Sequence, residues 1–129
     1  MIATCILNSC IRTARRLVHL PDGKSLHFAF LLDGRNVVGF GYNQHRTHPY
    51  RAMFPASEPT RPAWIHAEAA AIFSTRKIGD SLIVLRINRA GQLRYSRPCG
   101  CCQNLLTFHN INRVYYSTGV GDLFIEERL

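Results

Sequence analysis

The sequence predicts a three-layer α-β-α protein of the α/β class, with a mixed sheet of four to five strands. Two observations lead to this prediction. Predicted helices alternate with strands in the second half of the chain, which is typical of a sheet covered by helices. The length of 129 residues suits one domain with its own core, and we predict that residues 1–129 form a single domain.

Helices are predicted where apolar residues recur at helical spacing, and strands where short apolar runs are bounded by turn residues. Asp33-Gly34 is a strong hairpin signal, because tight hairpin turns need positive φ. Residues 43–63, with four prolines, form a loop long enough to suggest a functional role. The predicted elements in chain order are a helix over 4–18, strands over 25–32 and 36–42, an Ala-rich helix over 64–77, a strand over 81–87, an extended segment over 93–96, a helix over 99–109, a strand over 113–117 and a short segment over 123–125 whose type the pattern leaves open.

The composition is that of an ordinary folded protein. Hydrophobic residues make up 47% and charged residues 19%, which argues against a disordered chain. No apolar run is long enough for a membrane span, and the N-terminus lacks the features of a secretory signal. We therefore predict a soluble cytoplasmic protein that does not bind membranes.

The net charge is +8, from 16 basic and 8 acidic residues. A basic surface attracts polyanions or phosphorylated substrates, but an arginine-rich solvated surface has the same charge without any such function. The charge alone does not distinguish these two interpretations.

The five cysteines are an odd number, and three of them fall within four positions, which is a poor basis for disulfides. Such a cluster is more often metal-binding or catalytic. Cys5 and Cys10 lie in the first helical pattern, where we predict that both are buried, unreactive thiols.

Two short motifs predict a metal site. Cys99 and Cys102 form a C-x-x-C at a predicted helix start, and residues three apart share a helix face. His66-Ala67-Glu68 lies at the start of the Ala-rich helix, where side chains lean back toward the helix tip. Two thiolates and an imidazole suit Zn²⁺, and three ligands leave a fourth position open, as in catalytic zinc sites. Glu68 is then placed to carry a proton.

Each motif also has a simpler interpretation. C-x-x-C occurs in redox pairs, His66 alone could be an ordinary residue at a helix start, and Glu68 alone could favour the helix dipole. Cys101, between the two predicted ligands, is either a packed thiol or a replacement for one of them.

Together, His66-Ala67-Glu68 and Pro98-Cys99-Gly100-Cys101-Cys102 resemble the zinc signature of the cytidine and deoxycytidylate deaminase superfamily. The resemblance extends from about the first hairpin to the strand at 114–118. It implies a cytidine deaminase-like fold, a bound zinc, and hydrolytic replacement of the amino group at C4 of cytosine. It also implies that Glu68 protonates ring N3 and then the departing ammonia.

The resemblance further implies substrate contacts outside the metal site. They are the Ala67 N–H at the base carbonyl, Asn43 at the sugar, the backbone around Ser96 along the pocket, and Tyr116 near the base.

The substrate class remains open between two predictions. The first is a free (deoxy)cytidine nucleotide, whose phosphate Arg46, His48 or Arg51 would hold. The second is cytosine, or adenine by the same chemistry, in single-stranded DNA or RNA, which basic and aromatic residues of the 43–63 loop would favour.

A more distant alternative is a non-enzymatic zinc module that binds nucleic acid, which would need a fourth protein ligand and no Glu68. An uncovered sheet edge at 114–118 would also allow a homo-oligomer.

Overall fold

The computed structural model describes residues 2–21, 26–44 and 65–129. In this part of the chain, a mixed sheet carries helices on both faces. The elements in chain order are α1 (Thr4–Arg16), β1 (Leu26–Asp33), β2 (Asn36–Tyr42), α2 (Ala67–Phe73), β3 (Ser81–Ile87), β4 (Leu93–Arg94), α3 (Gly100–Phe108), β5 (Arg113–Ser117) and β6 (Phe124–Arg128). No helix among these described elements is long and apolar enough to cross a membrane.

The strand order is β2-β1-β3-β5-β6, with the two-residue β4 paired to β3. The β3–β5 pair is parallel, and all the other pairs are antiparallel. The sheet therefore has six strands in the described part, one more than the upper limit of the prediction, because the short extended segment at 93–94 and the last segment both join it.

The prediction of an uncovered edge at 114–118 was wrong. β6 pairs with the full length of β5, from Arg113 opposite Arg128 to Ser117 opposite Phe124. The apolar run at 123–125 was too short to show this pairing, since charged residues complete the strand. Within the described residues, the outer strands of the sheet are therefore β2 and β6.

The sheet separates two apolar cores, because successive strand residues point to opposite faces. One core joins α1 to Phe28, Phe30 and the other residues of that face. The second core joins α2 and α3 to Ala29, Leu31 and Val84. The three-layer prediction is thereby confirmed, and the α2/α3 face is the one on which the predicted metal ligands and Glu68 lie.

Helix α2 lies unusually close to the sheet because β2 offers it bare backbone. A Cβ atom built on Gly41 would overlap the backbone nitrogen of Ala71, and one built on Gly39 would crowd the Ala71 carbonyl oxygen. Small residues on both elements therefore allow the close contact that positions the start of α2.

Two local predictions were only partly right. α2 is shorter than the predicted 64–77 helix, because Ile65 pairs with Gln44 as extended backbone, and the Ser74 hydroxyl donates to the Ala71 carbonyl at the helix end. On α1, Cys10 is buried as predicted, and burial raises the pKa of its thiol to about 12. Cys5 is exposed, because the periodicity of α1 directs it away from the sheet.

The predicted β1–β2 hairpin is present. Asp33 lies opposite Asn36, and Gly34 between them has φ of 60°, a conformation that glycine adopts without strain.

Candidate metal centre and active site

His66 is held in place by the residue before it. The backbone N–H and C=O of Gln44 exchange hydrogen bonds of 2.9 and 2.8 Å with Ile65. His66 then caps the N-terminus of α2 in an extended conformation, with φ of −74° and ψ of 155°. The end of β2 thus sets where the imidazole emerges over the sheet.

Cys99 plays the corresponding role at α3, whose N-terminus it caps with φ of −71° and ψ of 169°. The segment before it is tied to its surroundings twice. Gln103 Nε2 donates to the Pro98 carbonyl at 2.8 Å, and Arg97 forms an ion pair of 3.1 Å with Glu127 on β6.

The three predicted ligands converge. His66 Nδ1 lies 3.2 Å from Cys102 Sγ and 3.6 Å from Cys99 Sγ. A tetrahedral zinc ion with ordinary bond lengths separates a nitrogen and a sulfur ligand by about 3.6 Å. His66, Cys99 and Cys102 form the one group of three or more His, Cys, Asp and Glu side chains in the described residues whose geometry suits a metal ion.

The two cysteines form a hydrogen-bonded pair of one thiolate and one thiol. A hydrogen bond from Cys102 is the main reason that the pKa of Cys99 falls to about 3. The same hydrogen bond, together with burial, raises the pKa of Cys102. One thiolate is therefore present at neutral pH, and a bound cation would favour loss of the second proton.

Cys101 lies apart from this group. Its side chain is 3% exposed and belongs to the apolar core between the sheet and helices α2 and α3. The structure thus resolves the alternative that the sequence left open, in favour of a packed thiol.

Glu68 lies beside the ligands in the first turn of α2 and is only 5% exposed. Burial raises the pKa of its carboxyl group, while nearby His66 opposes that rise. The carboxyl group is also hydrogen-bonded to Cys102. A buried carboxyl group with a raised pKa, next to a candidate metal-binding group, is suited to accept and return a proton. Ala67, 1% exposed, is the first residue of the same helix.

Asn43 lies next to this region and is 6% exposed. Its side-chain oxygen accepts a hydrogen bond of 2.9 Å from the His27 N–H, and its own N–H donates to the His27 carbonyl. This exchange fixes the orientation of the Asn43 side chain at the end of β2.

Ser96 and Tyr116 lie on the same side of the molecule. The Ser96 hydroxyl is used within the protein, donating to the Val84 carbonyl at 3.0 Å and lying 2.7 Å from the Ser117 hydroxyl. Tyr116 is 5% exposed, belongs to the α2/α3 core and meets the Tyr95 ring edge to face. Any contact of Ser96 with a ligand would therefore come from its backbone.

Arg46, His48 and Arg51 lie outside the described residues, as does the 43–63 loop beyond Gln44. Their predicted role in holding a phosphate stays a prediction.

Sequence reasoning missed His27, a partly buried residue of β1 on the same face as Ala29. Burial is the main reason that its pKa falls to about 4, and Arg86 and His66 lower it further. The sequence did offer a signal, because His27 is a polar residue within an apolar strand. The alternation of side chains along that strand directs His27 toward the same face as the predicted metal ligands.

His27 should make the fold sensitive to acid. The pKa is about 4 in the folded chain against 6.5 for a free histidine, so the unfolded chain binds more protons between these values. Burial of neutral His27 therefore contributes about 3 kcal/mol to the free energy of unfolding. This contribution is complete above pH 6.5 and is lost as the pH falls toward 4.

We expect His27→Gln to flatten the fall in unfolding free energy between these pH values, as measured by urea denaturation. His19→Gln, at an exposed position on the other side of the sheet, is the control and should leave the profile unchanged. Identical profiles for wild type and His27→Gln would contradict this account.

No protein-family model and no curated protein sequence matches the chain. Solved structures do match it. A dCMP deaminase from cyanophage S-TIM5, solved with dCMP and dUMP, superimposes with a TM-score of 0.61 at 17% identity, covering 90% of this chain and 83% of that one. Cytidine deaminase from Mycobacterium leprae has a TM-score of 0.55 at 16% identity, covering 92% and 91% of the two chains.

Cytidine deaminase from Mycobacterium tuberculosis has a TM-score of 0.53 at 17% identity, covering 94% of this chain and 88% of that one. At such low identity these likenesses concern the fold. The chain therefore has the fold of the cytidine and deoxycytidylate deaminases, with a sheet between two helical layers. Its His-Cys-Cys group at two helix starts fits the zinc site of that fold.

Proposed function

We propose that this protein is a zinc-dependent hydrolytic deaminase that converts cytosine to uracil in a free cytosine nucleotide. The observation that carries the proposal is a buried Glu68 beside the converging His66, Cys99 and Cys102. Cys101 belongs to the core, so no fourth protein ligand is evident in the described residues. Three ligands with an adjacent buried acid are typical of a catalytic rather than a structural zinc site.

The donor set fits zinc, because two thiolates and one neutral imidazole are ligands that Zn²⁺ prefers. When bound, zinc supplies a water molecule that can lose its proton near neutral pH. In the overall reaction, water adds its oxygen to C4 of cytosine, the C4–N bond breaks, and ammonia leaves.

Glu68 moves the protons in this scheme. Its carboxylate accepts a proton from the attacking water and passes it to ring N3; it then accepts the second proton from the resulting C4 hydroxyl and delivers it to the departing amino group. Burial suits the residue to this task because a raised pKa brings the carboxyl group closer to the working pH. The fold also keeps bulk water away from this carboxyl group.

Other residues position the nucleoside. The Ala67 N–H lies at the start of α2, where backbone donors have no partner within the helix, and in this proposal it binds the base carbonyl. Asn43 contacts the sugar, Tyr116 packs near the base, and the backbone at Ser96 lines the pocket.

The free nucleotide is favoured by the likeness to a dCMP deaminase that was solved with dCMP and dUMP. The net charge of +8 favours the second candidate, a deaminase of cytosine or adenine in single-stranded DNA or RNA. A non-enzymatic zinc module is disfavoured because it leaves the buried Glu68 without a task.

A substrate panel tests the proposal. We expect the zinc-loaded protein to release uracil products from deoxycytidylate, and to do so faster than from a single-stranded oligonucleotide with one cytosine. Cytidine and an adenine-containing strand complete the panel. Turnover of the oligonucleotide alone would assign the second candidate, and no turnover of any substrate would contradict a deaminase.

A further inference from the structure

A row of polar side chains crosses the sheet at the end where the metal ligands lie. Asn43 on one side exchanges backbone and side-chain hydrogen bonds with His27, and His27 is directly opposite Arg86 on β3. Arg86 is in turn opposite Arg94 on β4. The pairing of Gln44 with Ile65 brings His66 beside Asn43 at the other end. We call His66, Asn43, His27, Arg86 and Arg94 the rim row.

The rim row faces the α2/α3 side of the sheet. Residues directly opposite one another on neighbouring strands project to the same face, and His27 alternates with Phe28 to share the face of Ala29. The His27 imidazole lies close enough to His66 and Cys99 for both to influence its pKa.

Arg86 is the unusual member of this row. It interrupts a strand whose other six residues are all buried, and it is itself partly buried. Within the described part of the chain, its guanidinium group forms no hydrogen bond or ion pair; only its backbone N–H is bonded, to the Ser117 hydroxyl. A partly buried guanidinium group that has no partner among the described residues would be stabilised by a ligand that supplies one.

Arg94, directly opposite Arg86 on β4, places a second positive charge beside it. His27, directly opposite Arg86 on the other side, is neutral near pH 7 because its pKa is about 4, so the like charges that face each other are those of Arg86 and Arg94. Basic side chains that lie directly opposite one another destabilise a sheet. A bound anion would relieve this repulsion, and the arginine fork matches the oxygens of a phosphate.

We propose that Arg86, flanked by His27 and Arg94, is a phosphate-binding subsite of the active site. It would hold a phosphate group of the cytosine nucleotide while the base lies at His66 and Glu68. Arg86 is two strands away from Asn43, a lateral step of about 10 Å at ordinary strand spacing, so one nucleotide can reach from the base site to this arginine. The assignment rests on the proposed function, and it makes a phosphate, rather than the base alone, a determinant of specificity.

Binding measurements in the Glu68→Gln background test this subsite without dependence on turnover. Isothermal titration of the zinc-loaded protein would compare deoxycytidine, deoxycytidylate and a short oligonucleotide with one cytosine. Arg86→Gln should weaken binding of the phosphorylated ligands by roughly tenfold to a hundredfold, the range for a hydrogen-bonded charged group. Binding of deoxycytidine should change by less than about twofold, and Arg86→Lys should restore part of the loss.

Arg89→Gln is the matched control, because Arg89 is an exposed arginine in the turn between β3 and β4 and loses the same charge. It should change every affinity by less than about twofold. A selective loss for deoxycytidylate assigns the subsite to a phosphate monoester, and a selective loss for the oligonucleotide assigns it to a phosphodiester.

Three results would overturn the subsite. They are equal weakening of nucleoside and nucleotide by Arg86→Gln, the same loss in Arg89→Gln, or no phosphate-dependent binding in the parent protein. A melting curve for each variant separates these results from loss of the fold. Failure of the deaminase proposal is a different observation, namely the absence of uracil products from wild-type protein.

Discussion

Glu68→Gln is expected to abolish deamination while the protein keeps its zinc. Glutamine has nearly the same shape as glutamate and leaves His66, Cys99 and Cys102 in place, but it cannot accept and return a proton. A positioned acid-base group typically contributes a factor of about 10² to 10⁴, and here one residue serves several proton transfers, so the loss should reach the upper part of that range or exceed it. Uracil formation from deoxycytidylate measures the rate, and elemental analysis measures the zinc.

The control is Glu126→Gln, the same chemical change at an exposed position on β6. It should retain activity within about twofold, as expected of a surface substitution away from the site. If Glu68→Gln retained substantial activity with zinc bound, the assignment of Glu68 as the proton carrier would be wrong. Loss of zinc in this variant would instead make Glu68 part of the metal site.

The second large effect is expected for Cys102→Ser, which should release the metal and with it the activity. A serine hydroxyl group is a poor zinc ligand compared with a thiolate. Because Cys102 is fully buried beside His66, no nearby residue can take over its role as a ligand. The measured quantities are the zinc content, expected to fall from about one ion per chain to nearly none, and the deamination rate.

Cys101→Ala provides a close comparison, one residue away along α3. Because Cys101 packs in the core, its loss should lower the melting temperature modestly, by removal of a small buried group, and leave the zinc content unchanged. Loss of zinc from both variants would mean that Cys101 also binds the metal, and a structural site with four protein ligands would then be the better interpretation.

The acid and base chemistry of the site could be predicted from short stretches of sequence. His66 and Glu68 lie two residues apart at one helix start, and Cys99 and Cys102 lie three apart at another, so each pair is positioned by its own local backbone. What joined the two pairs in the prediction was the resemblance to a known signature. The structure brings His66 Nδ1 within 3.2 Å of Cys102 Sγ without any help from sequence proximity.

The errors in the prediction share a physical cause. β6 was incompletely recognised because its strand character depends on pairing with β5, and its own residues are mostly charged. α2 was predicted too long because the Ala-rich pattern does not show that Ile65 pairs with Gln44. In each case a contact with a distant segment overrides the local preference.

The sequence by itself determined the order of the helices and strands and the hairpin at Asp33-Gly34, and it predicted the two pairs of candidate metal-site residues, because each depends on residues close together in the chain. Only the tertiary structure decided that Cys101 lies in the core, that His27 lies near the candidate metal ligands and that Arg86 lies directly opposite His27. Those positions depend on the register between strands, and register is a property of paired segments that are 59 residues apart in the case of His27 and Arg86. A basic residue in a single strand does not show which neighbours it will have, and those neighbours decide whether it is a solvated charge or part of a binding site.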